Sequence, residues 1–110
     1  MAREPIDLLH GTLDVLVLKT LSWGPMHGFG MSRWIEQRTG SILEIEDAAL
    51  YKSLHRLEAS GAIESEWGVT ENNRRARYYR LTARGRKELR AETDTWRRYA
   101  AAIFSVLETV

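Results

Sequence analysis

Two amphipathic segments open the chain and predict two helices. Between Leu8 and Ser22, apolar residues recur three or four positions apart on opposite sides, so this helix is expected to be buried on both sides. One side could face a second subunit, and the residues assigned to that contact are Leu9, Leu13 and Leu16. Trp23-Gly24-Pro25 ends the helix, and a second helix is predicted from Gly28 to Arg38.

A third helix is predicted to open at Glu46-Asp47 and to run to about Ala59, after a short strand candidate at residues 42–45. Acidic residues suit its start, because carboxylates favour the positive end of a helix dipole. The apolar stripe of this helix consists of Leu50, Leu54 and Leu57. A separate stripe carries Tyr51, Lys52 and His55, with Ser53 and Arg56 nearby.

After Gly61 the period changes to two, which predicts a β-hairpin. Its strands are expected to begin at Ile63 and to end at Leu81, with an Asn-containing turn over residues 70–73. Trp67 is expected to pack under this hairpin. Thr82 then caps a last helix from about Ala83 to Thr109.

The last helix carries an apolar seam with alternating spacings of four and three residues, as in a coiled coil. The seam consists of Leu89, Thr93, Trp96, Ala100, Ile103, Leu107 and Val110. A helix of about 27 residues is roughly 40 Å long, so its far end should protrude from so small a domain. A homodimer is the expected way to cover it; the alternative is packing within one chain, with the first helix as a lid.

Composition and charge place these elements in one folded domain with a local basic segment. The chain has 110 residues, is 44% hydrophobic and lacks cysteine, which excludes thiol catalysis and suits the cytoplasm. Its net charge of +1 hides a segment with one acid, Glu88, among many bases. These bases are Arg74, Arg75, Arg77, Arg80, Arg84, Arg86, Lys87 and Arg90. Such a segment indicates a polyanionic partner, or else a solvated face balanced by acids elsewhere.

The order of the elements predicts a mainly α-helical protein with a small β-hairpin wing, a winged helix-turn-helix with a long C-terminal dimerisation helix. Residues 1–82 would bind DNA and residues 83–110 would dimerise, in one compact unit with the first helix. The third helix would enter the major groove, and the hairpin tip would reach phosphates or the minor groove. The residues assigned to double-stranded DNA are Tyr51, Lys52, Ser53, His55, Arg56, Asn73, Arg74, Arg75 and Arg77.

Other functions compete with DNA binding. A winged helix can also be a protein–protein interaction module without specific DNA binding. An enzyme, a metal site and a cofactor are not expected, because the chain lacks a Walker loop and a Gly-x-Ser-x-Gly elbow, and its three histidines are far apart. Trp96 lies mid-seam, where two facing indoles could hold a flat hydrophobic effector; the alternative is that it only packs.

Three motifs, taken in order, resemble the PadR-like transcriptional regulators. They are HGFGM from His27, LYxxLHRLExxGxI from Leu50 and RxxYYxLTxxG from Arg75. The single C-terminal helix resembles the short subclass of that family. The resemblance implies a dimeric winged-helix regulator, commonly a repressor, with Tyr51, Lys52 and His55 on the recognition helix and Arg74 and Arg75 on the wing. A dimer would read a near-palindromic operator, and a small effector at the seam would release it.

Overall fold

The computed structural model describes Leu8 and residues 11–110. Within these residues there are four helices and three strands, namely α1 (Thr12–Leu21), β1 (Met26–His27), α2 (Gly28–Arg38), α3 (Asp47–Ala59), β2 (Ile63–Val69), β3 (Arg75–Leu81) and α4 (Ala83–Leu107). The helices and the hairpin of β2 and β3 follow the predicted order. The strands form one antiparallel sheet in the order β1-β3-β2. This confirms the predicted fold class, a mainly helical winged helix-turn-helix.

The predicted strand at residues 42–45 is wrong. This segment has no regular structure, and its backbone groups are used by the turn that ends α2: Ile42 N donates to Thr39 O at 3.1 Å, and Leu43 N to Thr39 Oγ1 at 3.2 Å. The third strand is β1 instead, in which Met26 pairs with Tyr79 of β3. Two residues are too few to show any periodicity, so no sequence pattern indicated β1.

The core lies between α1, α2, α3 and the base of the hairpin. Its most completely buried large side chains are Val17, Leu18, Leu21, Met31, Ile35, Leu50, Leu54 and Ile63. Leu13 belongs to this same core, so its assignment to a subunit contact is wrong: little of its surface is left for a partner. Leu16 is partly exposed on the other side of α1, and Leu9 lies outside the described residues.

Ala62 connects the end of α3 to the start of α4 through its backbone hydrogen bonds. Ala62 N donates to Leu57 O at 2.9 Å, while Gly61, at φ 82°, donates to Glu58 O at 3.1 Å, and this pair of bonds ends α3. The hydroxyl of Thr82 donates to Ala62 O at 2.9 Å and accepts from Gly85 N at 3.0 Å, which confirms Thr82 as the cap of α4.

The C-terminal half of α4 extends beyond the rest of the molecule. The molecule measures 56 × 37 × 22 Å, and its radius of gyration is 15.4 Å, against about 13 Å for a compact chain of this length. Every residue from 101 to 110 is exposed, so the protrusion predicted for the last helix is confirmed. No helix in the described part of the chain is long and apolar enough to cross a membrane.

Candidate nucleic-acid interface

Helix α3 buries one face and exposes the other. Leu50, Leu54 and Leu57 are buried in the core, as predicted. Tyr51, Lys52 and His55 are exposed, so an aromatic hydroxyl, an ammonium and an imidazole occupy the solvent side of one helix. These groups can hydrogen-bond to phosphates and to base edges in a major groove.

The phenol of Tyr51 is located by the start of α2. A methyl group at Gly28 would lie 3.4 Å from Tyr51 Oη, so the tyrosine hydroxyl lies close to the first residue of α2. His27 caps α2 through Nδ1, which accepts from Gly30 N at 3.0 Å. The HGFGM motif therefore has a structural role, since it begins α2 and supplies its cap.

Ser53 does not belong to the exposed face. Its side chain is fully buried, and its hydroxyl donates to Asp14 Oδ1 of α1 at 2.5 Å. The assignment of Ser53 to DNA is therefore wrong. A sequence signal was available, because Ser53 follows Leu50 by three positions and precedes Leu57 by four, which places it within the apolar stripe.

Arg56 is exposed, but it is paired with the same carboxylate. Its Nη2 donates to Asp14 Oδ1 at 2.7 Å and its Nε to Asp14 Oδ2 at 3.4 Å. The hydrogen bond and the charge of Asp14 raise the pKa of Arg56 above its usual value. Asp14 thus holds α3 against α1 through both Ser53 and Arg56, and it occupies N–H donors that a phosphate would need.

Side chains along the hairpin alternate between two faces. Trp67 lies on the same face as Tyr79, but farther from the core, and it is exposed. The indole is 56% exposed, so the prediction that it packs under the wing is wrong. Cζ of Arg75 lies 4.6 Å from the centroid of the Trp67 ring, and Cζ of Arg77 lies 5.5 Å from it. The outer face differs, because Arg80 there pairs with Glu64 at 2.8 Å.

Glu58 connects this face of the wing to α3. Its Oε2 accepts from Ser65 Oγ at 2.6 Å, and Ser65 Oγ in turn accepts from Arg77 Nε at 2.8 Å. Arg77 Nη2 lies 3.9 Å from the same carboxylate oxygen. The chain of contacts fixes the direction of the hairpin relative to α3, so the exposed face of α3 and the wing keep a set angle.

The tip of the wing is a closed five-residue turn that exposes Asn73 and Arg74. Thr70 N donates to Arg74 O at 2.8 Å, and Asn73 N donates to Thr70 O at 2.9 Å. Asn73 adopts φ 60°, a left-handed conformation that asparagine tolerates better than most residues. The tip therefore presents an amide and a guanidinium beyond the end of the sheet.

Tyr79 is buried between the base of the wing and α3. Burial raises its pKa above the ordinary value of 10.0, and the positive charge of Arg77 opposes that shift. Because its pKa is higher in the folded protein, this tyrosine ionises at a lower pH in the unfolded chain than in the folded one. The stability that it contributes is complete below pH 10 and is lost as the pH rises from there towards the folded pKa.

We therefore expect Tyr79→Phe to reduce the loss of stability in alkali. Between about pH 8 and about pH 10.5, the free energy of unfolding of the native protein should fall more than that of the variant. Urea unfolding at both pH values measures this difference. Tyr99→Phe is the control, since Tyr99 is exposed, and it should behave as the native protein does. Equal losses in all three proteins would contradict the effect of burial on Tyr79.

A groove of about 760 Å³ lies between α1 and α4, away from this surface. Leu16 of α1 and Leu89 and Trp96 of α4 line it. The Trp96 ring also meets Tyr99 edge-on, with ring centroids 5.7 Å apart. Along the predicted seam, residues up to Ala100 are partly buried, while Ile103 and Leu107 are exposed.

The comparisons with known proteins agree with this arrangement. A family model described as the transcriptional regulator PadR-like family matches residues 17–91. A transcriptional regulator from Clostridium thermocellum is 30% identical, with a TM-score of 0.79, over 86% of this chain and 89% of that chain. A PadR family transcriptional regulator from Eggerthella lenta is 31% identical, with a TM-score of 0.77, over 91% of this chain and 85% of that chain.

A third similar structure is that of Bacillus subtilis PadR in complex with operator DNA. It is 20% identical with a TM-score of 0.67, over 77% of this chain and 48% of that chain, and this likeness concerns the fold. The family model covers α2, α3 and the whole wing. The predicted resemblance is therefore confirmed, as is the expectation of a non-enzymatic protein: the chain belongs to the PadR-like family of transcriptional regulators.

Proposed function

We propose that this protein is a homodimeric repressor that binds a near-palindromic DNA operator and is released by a small hydrophobic effector. The observation that carries the proposal is the surface shared by α3 and the wing. The exposed stripe of Tyr51, Lys52 and His55 and the basic face of the wing are held at a set angle by Glu58. A helix and a hairpin so joined can occupy a major groove and the adjacent backbone together.

Within this surface, the two elements have different roles. Tyr51, Lys52 and His55 supply donors and acceptors for base edges, so they set the preferred sequence. Arg74 and Arg75 supply charge to phosphates, which raises affinity for any duplex. Arg56 holds the recognition helix on α1 through its pair with Asp14, and it contributes to DNA binding mainly through the orientation of α3.

The exposed apolar side of α4 supports the proposal of a dimer. Ile103, Phe104 and Leu107 are all exposed near the end of a helix that protrudes from the single chain. A second copy of the chain would cover this side through the same residues, and the two recognition helices would then face successive half-sites. In the same dimer, the groove at Trp96 would be the place for a flat apolar effector that changes the distance between the two α3 helices.

Charge reversal at the wing tip tests DNA binding. We expect Arg74→Glu with Arg75→Glu to weaken binding by roughly a hundredfold, to upstream and scrambled duplexes alike, because both arginines contact phosphates. The slope of log affinity against log salt should become shallower by about 1.8, that is, by about 0.9 for each lost contact. Fluorescence anisotropy with DNA from upstream of the protein's own gene measures both effects.

Arg98→Glu is the matched control, because it reverses a charge on the exposed surface of α4, away from the wing. It should bind both duplexes as the native protein does. Unchanged binding by the double variant would contradict the role of the wing. If the native protein binds neither duplex at low salt, the proposal of a DNA-binding regulator is itself wrong, and a protein-interaction module becomes the better interpretation.

A further inference from the structure

Trp67 lies in an unusual position for a tryptophan, because more than half of its surface is exposed on the wing. In the register of the hairpin, Trp67 pairs with Arg77, and Val69 pairs with Arg75. These four residues lie on one face, the same face that carries the buried ring of Tyr79 nearer the core. On that face, the guanidinium groups of both arginines lie over the Trp67 ring.

Stacking on a ring holds an arginine without using its hydrogen-bond donors. The five N–H groups of a guanidinium lie in its plane, and an aromatic ring meets the face of that plane. Arg56 and Arg80, by contrast, direct N–H donors at the carboxylates of Asp14 and Glu64. Within the described residues, no carboxylate forms an ion pair with Arg75. Arg75 is thus restrained by Trp67 while its donors stay available.

We propose that Trp67 is a positioning residue of the wing, which holds Arg75 and Arg77 in the conformation that contacts DNA phosphates. This inference rests on the proposed function, because it takes DNA as the polyanion. An arginine that is ordered before binding loses less side-chain entropy when the phosphate contact forms, so the same charges bind more tightly. Ser65 and Glu58 add a second restraint on Arg77, whereas no side-chain hydrogen bond or ion pair within the described residues restrains Arg75 in addition to its cation–π contact with Trp67.

The test measures DNA binding by Trp67→Ala and Trp67→Phe in the full-length protein. The probes are fluorescein-labelled duplexes, one from upstream of the protein's own gene and one with that sequence scrambled. We expect Trp67→Ala to weaken binding to both by about five- to tenfold, with a salt dependence shallower by about one contact. Trp67→Phe keeps an aromatic face and should restore affinity to within about twofold of the native protein.

A double-mutant cycle separates positioning from a direct or a structural role. In a background with Arg75→Gln and Arg77→Gln, Trp67→Ala should cause no further loss, because the groups that it positions are absent. The thermal unfolding midpoint of Trp67→Ala should match that of the native protein, since the indole lies outside the core.

Three results would overturn the inference while DNA binding by the native protein stands. They are native affinity in Trp67→Ala, a full loss that persists in the double-arginine background, and a loss that Trp67→Phe does not restore. The second and third results would mean that the indole itself contacts DNA or only supports the hairpin. If the native protein binds neither duplex, the proposed function fails and this inference fails with it.

Discussion

Gly85→Ala is expected to destabilise the protein by about 3 kcal/mol or more, although alanine is the better helix former. Gly85 lies in the first turn of α4, and a methyl group there would stand 2.0 Å from Ala62 O and 2.8 Å from Leu81 Cδ1. Ala62 O also accepts hydrogen bonds from the backbone N and the hydroxyl of Thr82. Moving this carbonyl away would therefore break the hydrogen bonds that connect α4 to the segment between α3 and β2. A loss of this size is a large part of the stability of a small domain.

Denaturant unfolding followed by circular dichroism measures the effect. Gly40→Ala is the matched control: Gly40 has φ +59° but open space around it, so that variant should lose only about 1–2 kcal/mol from backbone strain. An unfolding midpoint for Gly85→Ala equal to that of the native protein would contradict this prediction. It would show that α4 can shift away from Ala62 at little cost in stability.

Ile103→Asp is expected to convert the proposed dimer to monomers. Ile103 is 41% exposed in the single chain and lies on the apolar side of α4. In a symmetric pair, the substitution would place two unpaired carboxylates in an apolar contact, at about 3 kcal/mol or more each. Together these raise the dimer dissociation constant by about four orders of magnitude. Sedimentation velocity at micromolar concentration measures this change directly.

Ser105→Asp provides the control, since position 105 lies about 200° around α4 from position 103 and its side chain is exposed. That variant should sediment as the native protein does. An Ile103→Asp variant that keeps the native mass would contradict the seam. A native protein that is monomeric would remove the dimer from the proposed function while leaving the DNA surface of each chain intact.

The elements that the sequence predicts well are those with a strong period. The stripe of Leu50, Leu54 and Leu57 locates α3 and its exposed face, because a helix of this length is decided by its own amphipathic pattern. The cap at Thr82 and the stop at Gly61 are equally readable, since both act through local backbone chemistry. The family motifs lie on these same segments, which is why the resemblance and the periodicity agree.

What the sequence could not predict depends on contacts between distant residues. Nothing local shows that Asp14 meets Ser53 and Arg56 some forty positions later, so these two contacts could not be predicted, although the apolar stripe of α3 already includes Ser53. Trp67 shares a face with Ile63, which is buried, but the hairpin continues past the core and only its base is covered. Alternation along a strand predicts which face a residue lies on, but it does not predict how far the core extends under that face, because this depends on tertiary packing.

The two sides of α1 face different parts of the molecule. One side meets α3 through Asp14, and the other supplies Thr12, Leu16 and Lys19 to the groove beside α4. None of the described residues that line this groove belongs to the exposed stripe of α3. For the proposed function, this separation means that substitutions in the groove and substitutions in the exposed stripe of α3 can accumulate independently in descendants of this chain. Asp14, which joins α1 to α3, has to stay in place.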